Sequence, residues 1–557
     1  METLPDDLRS AAEAWLAQDP DPVTREELTG LLEGNRLTEL RERFAGRLQF
    51  GTAGLRGALG AGPNRMNRVV VAQAAAGLCR YLLDQAQEGG RPSIVVGYDA
   101  RFNSDVFARD TAEIAQGLGL DAFVLPEPTP TPVLAFAIGH LGCSAGVMVT
   151  ASHNPPQDNG YKVYLADTSQ IVPPADTDIS EAIDAVGRVD ELERSDAYAV
   201  LGPDVAEAYR AAAVALSSTF GSAEVDRRAV SAVYTPMHGV GRDTVTQVVE
   251  AAGFAPLHVV AEQAEPDPRF PTVAFPNPEE PGAMDLALAK AADVGADLVL
   301  ANDPDADRCA VGVRDASGTV AMLSGDQVGV LLGDLLLRRG VTGTYAASVV
   351  SSDMLGRLVA AYDGTWQQTL TGFKWLGKIG DLAYGYEEAL GYSVAPHIAR
   401  DKDGVTAVLA VLELAADLKA EGRTLLDRLD DLHREHGLHH TAQLSVRVDD
   451  LAIIAAAMTT LRTAPPASLA GLAVTTIDDL ADGWRDLPPT DGIRLELAPG
   501  DGIDGVRIIC RPSGTEPKLK CYLEVVAAVD DGLDAARERA EAVTAALRSD
   551  LATSLGL

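Results

Sequence analysis

ADLVLANDPDADRCAVGV, residues 296–313, carries an apolar run, Leu298 to Ala301, directly into three aspartates spaced two apart, Asp303, Asp305 and Asp307. A short apolar run that stops at a cluster of charge reads as a buried strand of an α/β sheet, with a ligand loop at its carboxyl end. An extended chain at this spacing puts the three carboxylates on one side. Like charges so close repel strongly unless they share a cation. A calcium loop of the EF-hand type needs glycine at its sixth position and glutamate at its twelfth. Counted from Asp303, those places hold Arg308 and Arg314, which excludes it. Oxygen donors without a Cys/His cluster suit a hard cation, most simply Mg²⁺. A solvated acidic turn is the plainer alternative, and the position at the end of an apolar strand favours the metal.

Working outward, Val- and Ile-rich runs alternate with longer amphipathic stretches. SIVVGYDAR (93–101), AFVLPEPTPTP (122–132) and GVMVTASHNP (146–155) precede the acidic loop, and the pattern restarts with VSAVYTPMHGVGRD (230–243) and YAASVVSSD (345–353). Such alternation predicts α/β units with mainly parallel sheets. Residues 1 to about 45 are polar and helix-patterned. The stretch 262–282 contains six prolines and predicts a rigid irregular loop. The last ~115 residues differ: LSVRVDD, GIRLELAPGDG and GVRIICRPSGTEP alternate apolar and polar, then a closing helix follows, which suits an α+β domain with an antiparallel sheet. The expected division is 1–222, 223–325, 326–440 and 441–557, three mixed α/β domains followed by one α+β domain.

Composition narrows the function classes. At 557 residues the chain is multidomain. Its formal net charge of −35 repels phosphate backbones and anionic lipid, so nucleic acid and membrane surfaces are not expected partners. No window is apolar enough for a membrane span. The acidic N-terminus does not read as a secretory signal, so a cytoplasmic location is expected. Five scattered cysteines form no CxxC pair and read as buried small hydrophobes. An anionic substrate would need a locally basic site inside this acidic envelope.

Four further stretches carry chemistry. RPSGTEPKLK (511–520) combines Arg511 and Lys518 with Ser513, Gly514 and Thr515, a composition that fits either a phosphate cradle or an ordinary β-turn. GTAGLRG (51–57) puts Arg56 in a glycine-rich loop suited to an anion. HGVGRD (238–243) lacks the third glycine of a dinucleotide fingerprint and reads as a tight βα turn. YEEALGY (386–392) offers Glu387 and Glu388 either to sugar hydroxyls or to water. TASHNPPQDNGYKVY (150–164) displays Ser152 without a GxSxG elbow, and His153 beside it is poorly placed as its base if adjacent side chains diverge. A serine without a base can still act by carrying a phosphoryl group.

With TASHNPPQDNGYKVY, DPDADR, YEEALGY and RPSGTEPKLK in this order across nearly the whole chain, the sequence resembles the α-D-phosphohexomutase superfamily. FGTAGLRG, GFKWLGK and DKDGV look most like its branch of phosphopentomutases, glucose-bisphosphate synthases and bacterial phosphoglucomutases. The resemblance implies three α/β domains and a TATA-binding-protein-like fourth around a central cleft. It implies that Ser152 is phosphorylated and that Asp303, Asp305 and Asp307 bind Mg²⁺ together with a Ser152 phosphate oxygen. It implies proton transfer and phosphoserine stabilisation by Arg56 and Lys162, sugar contact by Glu387 with Glu388 beside it, and distal-phosphate binding by Arg511, Ser513, Gly514 and Thr515. Arg308, Lys374 and Lys402 are expected to line the cleft. The implied activity is a phosphoglucomutase or phosphomannomutase type interconversion of sugar 1-phosphate and 6-phosphate, primed by a sugar bisphosphate such as glucose 1,6-bisphosphate, with small-molecule sugar phosphates as its partners. Ala389 stands where much of the family has the serine of Glu-x-Ser, which leaves a pentose phosphate open. A metal-dependent phosphatase and a non-catalytic sugar-phosphate binder are the competing classes.

Overall fold

The computed structural model describes residues 4–51, 54–86, 90–448, 450–513 and 518–556. Three helices lead the chain, Asp6–Leu16, Pro22–Glu33 and Leu37–Phe44, as the polar periodicity predicts. Asp21 starts the second by accepting a hydrogen bond from the Val23 N–H, with Pro22 at the first helical position.

The first sheet orders its six strands as Leu55–Ala58, Asp158–Leu165, Ala145–Val149, Ser93–Tyr98, Asp121–Val124 and Ala199–Val200. Ser93–Tyr98 runs parallel to both its neighbours, whereas Asp158–Leu165 is antiparallel to both of its own. Every residue of Ala145–Val149 is buried, the signature of a strand covered on both faces. This strand feeds the Ser152 loop. The second sheet orders Val320–Met322, Ala310–Arg314, Leu298–Ala301, Ala232–Thr235 and His258–Val259. Leu298–Ala301, wholly buried and parallel to Ala232–Thr235, delivers the acidic loop from its carboxyl end. HGVGRD is the expected βα turn between Ala232–Thr235 and the helix Gly241–Ala251. The proline-rich stretch after the one-turn helix Ala261–Gln263 is irregular until the helix Asp285–Val294. All five cysteines are buried and free.

The chain divides into two compact units. One holds Met1–Leu323, Gly377–Gly380 and Gly391–Ala420; the other holds Ser324–Leu376, Asp381–Leu390 and Glu421–Leu557. In the first, the almost entirely buried helix Gly404–Ala420 packs against Gly241–Ala251 and carries the loop Asp401–Asp403 at its amino end. In the second, Ser324 and Gln327 form a reciprocal capping box at the start of the helix Gly325–Arg338. Thr344–Ser348 pairs in parallel with Thr365–Thr369 and with Leu382–Glu387. The C-terminal sheet is antiparallel in the order Leu438–Arg447, Lys518–Ala527, Ile503–Pro512, Ile493–Leu497, Leu472–Asp479 and Ser468–Leu469. The helices Leu451–Thr463 and Leu533–Leu555 pack on it around Leu495, Ile508, Leu523 and Leu547. The architecture is thus α/β with mixed sheets and a C-terminal antiparallel domain. No helix among the described residues is long and apolar enough to cross a membrane.

Candidate active site

Ser152 leaves the strand Ala145–Val149 on a turn. Its own N–H donates to Thr150 Oγ1 (2.9 Å), Asn154 N–H to Ala151 O (3.0 Å), and the Ser152 backbone takes φ +51°. The side chain is buried, and its hydroxyl donates to Asp303 Oδ2 at 2.7 Å. The expectation that His153 points away is corrected: its Nδ1 lies 3.2 Å from Ser152 Oγ, because the left-handed Ser152 turns the backbone between the two side chains. Burial, with Arg308 and Arg56 nearby, holds the His153 imidazole well below its usual pKa and hence neutral.

The acidic loop also departs from the extended run expected. It turns through 304–306, with Ala306 at φ +54° and its N–H donating to Asp303 O (2.8 Å). The turn draws the carboxylates together, and one oxygen from each of Asp303, Asp305 and Asp307 lies within 4.8 Å of the others. Lys162 Nζ bridges Asp305 Oδ2 (2.7 Å) and Asp307 Oδ2 (2.8 Å), and Lys402 Nζ sits 3.3 Å from Asp307 Oδ2. Burial opposes ionisation of both Asp305 and Asp307, and Asp307 opposes that of Asp305, but Lys162 with the Thr131 hydroxyl at Asp305, and Lys162 with Lys402 and Arg308 at Asp307, hold both below the usual carboxylate range. At Asp303, burial together with Asp305 and Asp307 outweighs Arg308 and the Ser152 hydrogen bond and pushes the carboxyl up to about 8. Asp305 Oδ1 and Asp307 Oδ1 are buried and accept no hydrogen bond among the described residues. Orphaned carboxylate oxygens beside a third carboxylate are a donor set that a hard divalent cation satisfies.

Other cations surround this centre. Arg308 places Nε 3.8 Å from Asp303 Oδ2 and 4.0 Å from Asp307 Oδ1, and its backbone N–H donates to Asp303 Oδ1 (3.1 Å). Arg56, on the strand Leu55–Ala58, donates from Nη1 to Asn154 Oδ1 (3.1 Å) in the serine loop. A side chain on Gly54 would come 1.9 Å from Tyr161 O, so glycine there lets this strand approach the Lys162 strand.

Lys374, Glu387, Glu388, Arg511 and Ser513 lie in the second unit. Lys374 is on the short helix Phe373–Leu376, with Nζ 5.9 Å from the Trp375 ring centroid. Glu387 Oε1 accepts from the Gly372 N–H (2.6 Å), and Glu388 Oε2 accepts from the Ser348 and Ser351 hydroxyls at 3.2 Å each. Arg511 faces Lys520 across the ladder, and Ser513 N–H donates to Lys518 O (2.8 Å) at the base of the loop. Gly514 and Thr515 lie outside the described residues. Sequence reading missed Thr131, whose hydroxyl donates to Asp305 Oδ2 (2.6 Å) and whose N–H donates to Asp305 O (2.9 Å). It also missed Asp401, which accepts from Tyr164 OH (2.7 Å). Thr131 stands in a stretch whose residue types announce no chemistry, whereas Asp401 opens DKDGV, where sequence reading singles out only the neighbouring Lys402.

A hydroxyl that donates to one of three clustered, buried carboxylates, with Lys and Arg around them, suits phosphoryl chemistry better than acyl transfer. Comparison with known proteins agrees. The description "Phosphoglucomutase/phosphomannomutase, alpha/beta/alpha domain I" matches residues 47–190, domain II matches 209–318, domain III matches 324–435 and the C-terminal domain matches 446–542. A probable phosphomannomutase of Haemophilus influenzae is 48% identical over 483 residues, 86% of this chain and 96% of that protein. A phosphopentomutase of Mus musculus is 35% identical over 560 residues, 92% of this chain and 89% of that protein. A solved structure, a putative phosphomannomutase from Thermus thermophilus, has a TM-score of 0.69 at 26% identity, covering 90% of this chain and 99% of that one. The chain belongs to the phosphoglucomutase/phosphomannomutase family of the α-D-phosphohexomutase superfamily. It is an isomerase that moves phosphate within a sugar phosphate.

Proposed function

We propose that this enzyme interconverts sugar 1-phosphate and sugar 6-phosphate, with glucose or mannose as the sugar, through a phosphorylated Ser152 and a bisphosphate intermediate. The observation that carries the reading is the 2.7 Å contact between Ser152 Oγ and Asp303, in a cluster of three buried carboxylates. Transfer breaks the bond between Ser152 oxygen and phosphorus and makes one between a sugar hydroxyl and that phosphorus, while the hydroxyl proton leaves to a nearby base. The bisphosphate then reorients, and its other phosphate returns to Ser152. A sugar bisphosphate, such as glucose 1,6-bisphosphate, primes the cycle.

Asp303, Asp305, Asp307 and a Ser152 phosphate oxygen would hold Mg²⁺, which when bound neutralises phosphoryl charge. Lys162 and Arg56 divide their work by environment. Burial opposes the charge on Lys162, yet Asp305 and Asp307 raise its pKa, so it stays an ammonium and stabilises the phosphoserine. Burial lowers the Arg56 pKa and Asp305 opposes that in part; we give Arg56 the proton transfer on the family resemblance and on its contact with Asn154 in the serine loop. Arg308 and Lys402 add positive charge at the metal loop. Glu387, with Glu388 beside it, reads sugar hydroxyls; Lys374 lines their approach, and Arg511, Ser513, Gly514 and Thr515 hold the phosphate that is not reacting. We assign the carrier serine to 1–222, the metal loop to 223–325, the sugar loop to 326–440 and the distal-phosphate loop to 441–557, in a cytoplasmic enzyme.

A pentose phosphate is the second reading. Ala389 has no hydroxyl where the family's Glu-x-Ser offers one, and the mouse relative at 35% identity is named a phosphopentomutase. Glucose, mannose, glucosamine, ribose and deoxyribose 1-phosphates, assayed with bisphosphate and Mg²⁺, separate the two readings by which sugar is isomerised fastest. In the same assays Ser152→Ala is expected to lower turnover by several orders of magnitude. Near-normal rates in that variant, or release of inorganic phosphate without isomerised sugar, would sink the carrier role.

A further inference from the structure

Arg101 closes the stretch SIVVGYDAR and is only 4% exposed. Its Nη1 donates to Pro155 O (2.9 Å) and Asp158 O (3.2 Å), and its Nη2 to Ser152 O (2.5 Å) and Asn154 O (2.6 Å). Four carbonyls of the serine loop therefore converge on one guanidinium. On its other edge Nε lies 3.4 Å from Asp99 Oδ2, while Asp99 Oδ1 accepts from the Arg101 N–H (3.0 Å) and the Ser104 hydroxyl (2.6 Å). The Phe270 ring lies over the guanidinium, 4.9 Å from Cζ to centroid. Phe270 comes from the proline-rich loop, is 3% exposed, and sits at φ +46°.

These contacts answer a local problem. Ser152 is a non-glycine residue in the left-handed region, a strained conformation that persists only where the surroundings impose it. A planar fork that binds the carbonyl of Ser152 and those of Asn154, Pro155 and Asp158 fixes the loop at four points. A lysine, with one ammonium, cannot reproduce that fork. The four terminal N–H groups of Arg101 are taken by carbonyls, and Nε, which makes no hydrogen bond, faces Asp99 on the opposite edge from the serine loop. It acts through the backbone it grips. Asn154, held by its carbonyl, is also the residue whose side chain meets Arg56.

We propose that Arg101 is a positioning residue of the mutase: it holds the Ser152 loop in the strained turn that aims Oγ at the metal aspartates, with Phe270 stacked on it to keep the guanidinium in register. The proposal rests on the reading of Ser152 as the phosphate carrier.

The test compares wild type, Arg101→Lys, Arg101→Ala and Phe270→Leu at saturating Mg²⁺. It reads kcat and KM for the best sugar 1-phosphate, Ser152 phosphorylation by intact mass, melting temperature, and single-turnover transfer from isolated phosphoenzyme to sugar. Misplacing a reacting group by about 1 Å can lower a rate about 10²-fold. Arg101→Lys is accordingly expected to lose about 10²-fold in kcat and in single-turnover transfer, with KM within a few-fold and Ser152 still phosphorylated. Phe270→Leu should lose several-fold in the same direction, and added guanidinium should restore part of the Arg101→Ala rate. If Arg101→Ala does not fold, the Lys and Leu variants decide. A phosphorylated Arg101→Lys that transfers at the wild-type rate overturns the role of Arg101 alone. So does a lysine variant whose rate loss merely follows its loss of folded protein. A wild-type enzyme that never carries phosphate on Ser152 overturns the carrier reading, and this proposal with it.

Discussion

Thr131 shows what a single side chain does at this site. Its hydroxyl and its N–H both bind Asp305, and it opens the helix Thr131–Leu141, whose positive end favours the carboxylate. Partners of metal ligands typically account for 10- to 100-fold in metal affinity. Thr131→Val keeps the shape and loses the hydroxyl, so its Mg²⁺ activation curve should shift to at least ~10-fold higher concentration with the fold intact; an unmoved curve would remove Thr131 from the metal site. Asp305→Asn should weaken the Mg²⁺ response further, because it removes a carboxylate of the proposed metal site rather than a partner of one. The aspartates themselves were legible, since three carboxylates alternating after an apolar strand repel one another unless a cation joins them. Thr131 was not, because AFVLPEPTPTP reads only as one of the apolar runs of the α/β pattern and its partner is 174 residues away.

At the scale of elements, turns and strand pairs set the stability of the loops. Gly239 in HGVGRD packs on the metal loop: a Cβ there would lie 2.3 Å from Pro304 Cα, and the adjacent Val240 N–H donates to Pro304 O (2.9 Å). Gly239→Ala should therefore push the acidic loop, destabilise the protein by about 1–3 kcal/mol and weaken Mg²⁺ activation together. Melting curves and metal titration of one preparation check both. The sequence made the βα turn legible; that its glycine touches the loop 65 residues onward required the fold.

In the second unit, Glu524 on the strand Lys518–Ala527 is 3% exposed and receives Arg507 (2.7 Å), the Ser352 hydroxyl (2.5 Å) and His439 Nδ1 (2.8 Å). Burial alone would raise its pKa, but Arg507 and these hydrogen bonds hold it at about 2, against an ordinary value of 4.5. A depressed folded-state pKa means the stabilisation is complete above pH 4.5 and is lost as pH falls towards 2. Its size is on the order of 3 kcal/mol. Glu524→Gln should be less stable at pH 7, and the gap to wild type should narrow between pH 4.5 and 2. Parallel acid unfolding curves with a constant gap would remove the ion pair as the cause.

The chain as a whole is less modular than its order of motifs implies. Alternating strand and helix patterns made α/β units and an antiparallel C-terminal sheet legible, because periodicity is local. Periodicity does not say which unit a helix packs into, and the first unit is completed by residues well beyond Leu323. Glu413 on the helix Gly404–Ala420 is 1% exposed and accepts from Arg227 Nε at 2.9 and 3.0 Å. Asp403 accepts from Tyr209 OH (2.8 Å), Asp401 from Tyr164 OH, and Lys402 reaches Asp307. A chain ending at Leu323 would leave Arg227 and two buried tyrosine hydroxyls without these partners and expose the apolar face that this helix covers. Unpaired buried polar groups cost about 1–3 kcal/mol each, comparable in sum with the stability of a typical domain. Residues 1–323 expressed alone should therefore fail to unfold cooperatively and should bind hydrophobic dye. Joining residues 391–420 to Leu323 through a flexible linker should restore a sharp transition. A cooperative, dye-silent 1–323 fragment would show instead that the helix is an accessory and that the first unit closes before it.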